Sequence, residues 1–125
     1  MAEKTFQLAV IGCGRWGLNH LRTAFQAFGR EVKYACDIDP EREAKVREIS
    51  PEVSFTGSVQ QVLDDPALTA VVIATPAETH YTLARMFLEK GIHVLVEKPV
   101  ALFSYQAREL EKIAAKQKKT LMVLG

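Results

Sequence analysis

The chain has 125 residues, of which 48% are apolar and 25% are charged, and its formal net charge is +1. A chain of this length can bury a core in one domain, and this composition excludes disordered, collagen-like and disulfide-stapled proteins. The small net charge provides no global field that would draw the chain to nucleic acid or to an anionic membrane surface, and we expect neither partner.

The predicted elements of the first half alternate between strand and helix. A strand in FQLAVIG, from Phe6, precedes glycines and a helix in LNHLRTAF. A second strand in VKYACDI, from Val32, precedes a helix in PEREAKVREI, whose first turn holds Pro40. A short strand around Val53 and a short helix capped by Ser58 follow.

The second half continues this alternation. TAVVIATP, from Thr69, predicts a central parallel strand, because its apolar run implies burial on both faces. The next helix has an apolar stripe and a left-handed stop at Gly91; the stripe comprises His80, Leu83, Ala84, Phe87 and Leu88. IHVLVEKP predicts a fifth strand, SYQARELEKIAAKQKK a last helix and TLMVLG a sixth strand.

Strands and helices that alternate in this way require parallel strands joined by crossover helices. The sequence therefore predicts an α/β fold in which a doubly wound, mostly parallel six-stranded sheet of Rossmann type forms a single domain, residues 1–125.

The cysteines and the basic residues predict no further site. Cys13 and Cys36 have neither a CxxC spacing nor metal ligands near them, which predicts small buried thiols in a reducing compartment and no metal site.

No leader with an apolar signal core and no membrane-length apolar run is present, and the expected location is the cytoplasm. A basic run at a predicted helix end favours a solvated helix terminus over a nucleic-acid surface: Lys112, Lys116, Lys118 and Lys119.

The sequence GCGRWG fits the pattern G-x-G-x-x-G between a strand and a helix. In this pattern Gly12 allows a tight turn, Gly14 lets the backbone approach a diphosphate and Gly17 allows close helix packing. Asp37, about 20 residues further on, would bind both adenosine ribose hydroxyls and repel a 2′-phosphate, so NAD is predicted rather than NADP. Ile38, next to Asp37, is included in the predicted site.

Four other residues of this region have alternative interpretations. Cys13 is assigned to the cofactor turn, although a small buried filler is the plainer role. Arg15 could border the phosphates and Trp16 could cover them or a sugar, but surface or packing roles suit both equally. Asp39 is expected to cap the helix entered at Pro40 rather than to bind a metal.

The segments AVIGCGRWG, ACDIDP, VVIATPAETHYTLA and HVLVEKP together resemble the dinucleotide-binding half of the Gfo/Idh/MocA family of oxidoreductases. The glycine turn, T-P-x-x-x-H and E-K-P carry the resemblance, which covers essentially the whole chain. It implies an NAD-dependent dehydrogenase that exchanges a hydride between nicotinamide and a hydroxyl carbon of a sugar, nucleotide sugar or polyol. Within the family the chain looks most similar to members acting on nucleotide-linked amino-sugar uronic acids.

The resemblance also assigns roles to residues of the second half. Lys98 is the catalytic candidate, either assisting proton transfer or orienting the substrate hydroxyl as a cation, and Glu97 lines the same nicotinamide-proximal crevice. A cis bond before Pro99 that turns Lys98 inward is implied. Thr75 and Pro76 are expected to touch the ribose or nicotinamide.

The two ends of the T-P-x-x-x-H segment also have purely structural interpretations. Thr75 with Glu78 matches a helix capping box, so Thr75 could serve the helix, the cofactor or both. His80 is included in the cofactor site, although a hydrogen-bonded structural histidine is the more common outcome for such a residue. His20, in the first helix, and His93, in a strand, have weaker claims.

The family's second α/β domain has no counterpart here, so we expect a shortened chain, a cleaved fragment or a partial gene product. Such a chain would bind a dinucleotide without turning over substrate by itself, and uncovered apolar surface could make it a homo-oligomer. The alternative is a stand-alone dinucleotide-binding regulatory or redox-sensing module without catalysis. The presence of Lys98 favours the dehydrogenase.

Overall fold

The computed structural model describes residues 6–124. One sheet of six strands runs in the order β3-β2-β1-β4-β5-β6, and each neighbouring pair is parallel. The strands are β1 Leu8–Ile11, β2 Val32–Cys36, β3 Ser54–Thr56, β4 Ala70–Ile73, β5 His93–Glu97 and β6 Leu121–Leu124. The strand order reverses between β1 and β4, which is the switch point of a doubly wound fold, and the predicted fold class is confirmed.

Five α-helices connect the strands. They are α1 Arg15–Phe28, α2 Glu43–Ile49, α3 Val59–Leu63, α4 His80–Glu89 and α5 Ser104–Gln117. Short 3₁₀ turns cover Gly29–Glu31, Pro40–Arg42 and Ala77–Thr79. Between residues 6 and 124, no helix combines the length and the apolar character that crossing a membrane requires.

Local capping agrees with the predictions for α2 and α3. The Asp39 side chain accepts the Glu41 N–H at 3.0 Å, where the chain enters the 3₁₀ turn that leads into α2. The Ser58 hydroxyl accepts the Gln61 N–H at 3.1 Å at the start of α3. Each bond satisfies a backbone donor that helix geometry leaves without a partner. Gly91 has φ +79° after α4, as the predicted left-handed stop requires.

The core has two layers, one on each face of the sheet. On one face, Ala9, Ile11, Val71 and Ile73 pack with residues of α3, α4 and α5, including Phe87. On the other face, strand residues pack with α1 and α2: Leu8, Val10, Ala70 and Val72 meet Leu21, Ala24 and Val46. All four residues of β1 and of β4 are buried, which explains why both strands read as continuous apolar runs.

On the face of the sheet that carries α1, strands β5 and β6 are left partly uncovered. A groove of about 490 Å³ there is bordered by α1, β5 and β6. Met122 is 50% exposed, and the neighbouring Val123 is 46% exposed. Apolar surface on the last strand therefore remains uncovered in this chain.

Candidate functional site

The strands that precede the predicted site residues end at one level of the sheet. Ile11 is registered with Cys36 on one side and with Ile73 on the other, and Ile73 is registered with Val96. Because parallel strands end at the same edge, the residues that follow this row emerge side by side at the carboxyl edge. These residues are Gly12, Asp37, Ala74 and Glu97.

The glycine turn after β1 is built from close backbone contacts. Gly12 has φ +95°, and a Cβ atom there would lie 2.7 Å from the Ala74 carbonyl oxygen. A Cβ atom on Gly17 would overlap the Gly12 carbonyl oxygen. A Cβ atom on Gly14, in contrast, would have no neighbour within 4 Å. Packing within the protein therefore does not require a glycine at position 14. The missing side chain instead leaves the backbone there open to an approaching ligand.

The amino terminus of α1 faces this open approach. The Leu18 N–H donates to the Gly14 carbonyl at 2.8 Å, so the helical bonds begin at Leu18. The N–H groups that precede it have no partner within the helix, and neither a capping side chain nor an acidic first-turn residue meets them. Such a terminus attracts an anion through its N–H groups and the helix dipole.

Asp37 is bonded to the glycine turn that it was predicted to assist. Its Oδ2 accepts the Cys13 N–H at 2.7 Å, and its Oδ1 accepts the Asp39 N–H at 2.8 Å. A carboxylate offers about four acceptor positions, so each oxygen keeps capacity for a further donor. The side chain is partly exposed and lies beside Ile38, which is 89% exposed.

A cavity of about 770 Å³ opens at this edge and brings most of the predicted residues together. Its lining includes Gly12, Gly14, Arg15, Trp16, Asp37, Ile38, Thr75 and Pro76. Arg15 lies over the Trp16 ring, with its guanidinium carbon 5.7 Å from the ring centroid. The predicted residues Cys13, Gly17, His80, Glu97 and Lys98 do not line this cavity.

The side chain of Cys13 is in the core, and only its backbone joins the turn. The Cys13 thiol donates to the Cys36 carbonyl at 3.5 Å, and both thiols are free and buried. Burial, followed by the Asp37 charge, raises the pKa of Cys13 to about 12 and that of Cys36 to about 11. The predicted role as small buried filler is confirmed for both residues.

The turn after β4 differs from the predicted capping box. The Thr75 hydroxyl bonds to the Thr79 hydroxyl at 2.6 Å, and the Thr79 hydroxyl also contacts the Pro76 carbonyl at 2.6 Å. The helix is entered through a 3₁₀ turn whose cap position is occupied by Pro76, and the proline side chain has no polar atom to bond a backbone N–H. The predicted pairing of Thr75 with Glu78 is therefore wrong, whereas Thr75 and Pro76 do reach the cavity.

His80 joins the turn after β4 to the loop after β5. Its side chain is buried, with Nδ1 2.7 Å from the Pro99 carbonyl oxygen and Nε2 2.8 Å from the Thr75 carbonyl oxygen. The two ring nitrogens thus contact backbone groups 24 positions apart on both sides of the predicted nicotinamide end. This placement gives His80 a structural role, and its contact with a cofactor stays a prediction.

The E-K-P segment lies at the end of β5, beyond the cavity. The Lys98–Pro99 peptide is cis, as the resemblance implied, but Lys98 is exposed in this chain and not turned inward as expected. The Glu97 carboxylate is only 21% exposed and pairs through Oε1 with Nε2 of His20 in α1. Sequence reasoning gave His20 little weight, although it follows the closely packed Gly17 by three residues, which places both on one side of the helix.

Arg42 is a second residue that sequence reasoning missed. Its Nε donates to the Cys13 carbonyl at 2.8 Å, so the entry to α2 is tied to the glycine turn. The turn is thereby held from two sides, by Arg42 at its carbonyl and by Asp37 at its N–H. No local spacing indicates this contact, because it joins two loops of the tertiary structure.

A metal centre has no counterpart in residues 6–124. No three histidine, cysteine, aspartate or glutamate side chains come together there in a group that could hold an ion. The polar groups at the carboxyl edge are instead backbone donors, the carboxylates of Asp37 and Glu97, and the exposed amine of Lys98. This set suits an extended ligand with an anionic centre and hydroxyl groups.

The chain is similar in sequence to known dehydrogenases. The chain is 36% identical over 99 residues to inositol 2-dehydrogenase 1 of Paenarthrobacter aurescens, a match that covers 78% of this chain and 29% of that enzyme. It is 30% identical over 120 residues to D-apiose dehydrogenase of Paraburkholderia graminis, covering 96% of this chain and 32% of that enzyme. The chain thus spans about a third of the length of these relatives.

A solved structure shows the same similarity in three dimensions. The WlbA dehydrogenase of Chromobacterium violaceum, crystallised with NADH and UDP-GlcNAcA, superimposes with a TM-score of 0.83 at 29% identity. The match covers 99% of this chain and 36% of the WlbA chain. The coenzyme in that complex, NADH, agrees with the predicted cofactor.

The sequence profile described as "Oxidoreductase family, NAD-binding Rossmann fold" matches residues 6–124. The match includes the glycine turn, the T-P-x-x-x-H segment and E-K-P, so the predicted resemblance is confirmed. The chain belongs to the Gfo/Idh/MocA family of oxidoreductases, as its NAD-binding Rossmann domain.

Proposed function

We propose that this chain is the coenzyme domain of a dehydrogenase that transfers a hydride between NAD and a hydroxyl-bearing carbon of a sugar, nucleotide sugar or polyol. The observation that carries the proposal is the placement of Asp37. Its carboxylate is fastened to the glycine turn through the Cys13 N–H and still borders the open cavity. A fixed acceptor beside an anion-binding helix terminus matches the ribose and diphosphate of a dinucleotide.

The adenosine half of the coenzyme is assigned to the side of β2. Both ribose hydroxyls donate to the Asp37 carboxylate, which would repel a phosphate at the 2′ position. The adenine ring rests on the exposed Ile38, on the rim of the cavity. The diphosphate approaches Gly14, where a side chain would otherwise intrude, and accepts hydrogen bonds from the first N–H groups of α1.

The nicotinamide half is assigned to the ends of β4 and β5. Strands β2, β1, β4 and β5 are consecutive neighbours, so three spacings of about 4.8 Å separate Asp37 from Glu97 by roughly 14 Å. Thr75 and Pro76 lie between these ends and line the cavity. An extended coenzyme that begins at Asp37 would therefore place its reactive ring towards Glu97 and Lys98.

In the proposed oxidation, the substrate carbon gives its hydride to the nicotinamide of NAD⁺ while the hydroxyl gives up its proton. Lys98 is the catalytic candidate because the E-K-P resemblance assigns it this role and because it directly follows the end of β5. It either accepts the hydroxyl proton as a neutral amine or remains charged and stabilises the developing oxyanion while another group takes the proton. Reduction of the carbonyl reverses these steps.

The substrate class follows from the relatives. Two of them are named as dehydrogenases of inositol and of D-apiose, and WlbA was crystallised with a UDP-linked sugar acid. We therefore assign a sugar, a polyol or a nucleotide-linked sugar, with nucleotide-linked uronic acids as the narrower proposal. The relatives described above with a functional name are dehydrogenases, and the regulatory alternative gains no support from them.

Turnover is proposed only for a protein in which a substrate-binding part accompanies this domain, since the chain spans about a third of its relatives. The uncovered apolar groove beside β6 supports packing against further protein surface, either another domain or a second copy. Buried free Cys13 and Cys36 support a reducing location such as the cytoplasm.

Calorimetric titration of the purified chain with NAD⁺ and with NADP⁺ tests the proposal. We expect NAD⁺ to bind at least about tenfold more tightly, because the 2′-phosphate would place like charge beside Asp37. Heat-inactivated chain serves as the control for nonspecific heats. A chain that binds neither coenzyme, or that prefers NADP⁺, contradicts the proposal.

A further inference from the structure

The pair formed by His20 and Glu97 connects the first helix to the fifth strand. The two residues are 77 positions apart in the sequence, and their side chains are 25% and 21% exposed. His20 Nε2 is in direct contact with Glu97 Oε1, so the imidazole fixes the position of one carboxylate oxygen. Partial burial weakens solvent screening and makes the position of this carboxylate electrostatically significant.

The pair lies at the carboxyl edge, three strand spacings from Asp37 and beyond the cavity, and His20 also borders the groove on the α1 side of the sheet. Glu97 follows Val96, which is registered with Ile73, immediately before the turn that carries Thr75. Under the proposed function, on which this inference rests, the nicotinamide ring lies at these strand ends. The Glu97 carboxylate is then the acidic group next to the proposed catalytic Lys98.

His20 keeps this carboxylate in a defined place. Among residues 6–124 no ion pair joins Glu97 to its neighbour Lys98, whose side chain is exposed, and the partner that the structure gives Glu97 is His20. A glutamate without this contact would gain the freedom to rotate into solvent or towards Lys98. The imidazole therefore fixes the position of the Glu97 carboxylate.

The position of the Glu97 carboxylate matters because the two redox forms of the coenzyme differ in charge. The nicotinamide ring is positively charged in NAD⁺ and neutral in NADH, so a nearby carboxylate interacts differently with the two forms. We propose that the His20–Glu97 pair raises the affinity of the site for NAD⁺ relative to NADH, with His20 positioning the carboxylate that attracts the oxidised ring. ADP-ribose lacks the ring and is insensitive to the pair.

The test compares the dissociation constants of NAD⁺, NADH and ADP-ribose for the chain and its variants at one pH. In Glu97→Gln and in His20→Ala, we expect the affinity for NAD⁺ relative to NADH to fall about 3- to 10-fold, with ADP-ribose unchanged. The double variant should fall no further, because both changes remove the same positioned charge. His20→Gln, whose amide can donate to the carboxylate, should restore part of the ratio.

Asn19→Ala is the matched control, since Asn19 is the exposed neighbour of His20 in α1 and bonds to Arg22 at 3.0 Å. It should leave all three constants unchanged. An unchanged NAD⁺-to-NADH ratio in Glu97→Gln would overturn the inference, as would an equal loss for all three ligands in the His20 variants. Failure of the proposed function looks different, because the unmodified chain would then bind neither ADP-ribose nor NAD⁺.

Discussion

The Asp37 carboxylate accepts the backbone N–H of Cys13 at 2.7 Å and so fastens the glycine turn from the neighbouring strand. The residue assigned to the ribose is therefore also part of the frame that shapes the diphosphate site. Arg42 completes this frame by donating to the Cys13 carbonyl at 2.8 Å. Substitutions of Asp37 should consequently change both coenzyme selectivity and the order of the turn.

Asp37→Ala should lower NAD⁺ affinity about 10- to 100-fold, because it removes two charge-assisted hydrogen bonds to the ribose and loosens the turn. Asp37→Asn should cost less NAD⁺ affinity, since the amide oxygen can still accept one backbone N–H, but it should abolish discrimination against NADP⁺. Calorimetry with both coenzymes checks these values.

Asp64→Asn provides the control for Asp37, because this exposed aspartate bonds only to Gln60 among the side chains described, at 2.7 Å. It should bind both coenzymes as the unmodified chain does. Equal affinity for NAD⁺ and NADP⁺, unaffected by either Asp37 substitution, would refute the assignment of the ribose to Asp37.

Two glycines of the turn should respond in opposite ways to alanine. Gly17→Ala places a methyl group on the Gly12 carbonyl oxygen and should lower the free energy of unfolding by about 2 kcal/mol or more. Gly14→Ala meets no protein atom within 4 Å and should change stability by less than about 1 kcal/mol. Its methyl group should nevertheless obstruct the diphosphate and weaken NAD⁺ binding.

Urea unfolding and NAD⁺ titration of the two variants separate packing from ligand contact. If the Gly14→Ala variant is stable and binds NAD⁺ as tightly as the unmodified chain, the diphosphate does not approach the backbone at residue 14. A fully stable Gly17→Ala would contradict the close packing of α1 on the turn.

Most strands and helices of the fold can be predicted from local sequence patterns. Apolar runs of four or five residues predicted the buried strands, and each was followed by a helical stripe or a turn signal, as β4 and α4 illustrate. The exits of the strands then placed Asp37 and Glu97 at one edge without any knowledge of side-chain contacts. The glycine turn and its acidic partner were found from the sequence because the G-x-G-x-x-G pattern and an aspartate about 20 residues further on are signals of residue type and spacing.

The contacts missed by sequence reasoning are those made between distant segments. His20 and Glu97 are 77 positions apart, and Arg42 meets Cys13 across two loops, so neither contact leaves a periodic signal. The capping box at Thr75 was predicted from a real local spacing. It failed because a 3₁₀ turn starts α4 and gives the Thr75 hydroxyl a closer partner in Thr79.

Asp65 should govern stability in acid. Its carboxylate accepts Lys33 Nζ and the Tyr34 hydroxyl, each at 2.7 Å, and the Ala67 N–H at 2.8 Å. These contacts, of which the one with Lys33 has the largest effect, lower the pKa of Asp65 from 3.8 to about 2. Because the folded-state pKa is depressed, this stabilisation is present above about pH 4 and is lost as the pH falls towards 2.

Asp65→Asn should lower the free energy of unfolding at neutral pH by about 1 to 3 kcal/mol, since it weakens these bonds. It should also flatten the loss of stability between about pH 4 and pH 2. Chemical unfolding across this range, with Asp64→Asn as the neighbouring control, measures both effects. An unaltered pH profile in Asp65→Asn would exclude Asp65 as the titrating group.

His80 should hold together the two turns that flank the proposed nicotinamide site. His80→Ala removes contacts to the Thr75 and Pro99 carbonyls and should cost about 2 to 4 kcal/mol of stability, because buried polar groups lose their partner. Amide hydrogen exchange should accelerate around residues 75–79 and 99–103. Tyr81→Phe, which removes only a phenol contact to Arg85, should leave these amides protected.

Unchanged exchange rates in His80→Ala, in a chain that remains folded, would contradict the connecting role of this histidine. Acceleration confined to the first turn of α4 would also contradict it, because the Pro99 contact predicts an effect on both segments.

A crystal structure of the chain with NAD⁺ tests the central claim most directly. We predict the diphosphate within hydrogen-bonding distance of the N–H groups at residues 14–17, the adenosine ribose on Asp37 and the nicotinamide ring beside Lys98. A coenzyme bound in the reverse direction, or bound away from the cavity at the carboxyl edge, would contradict the account.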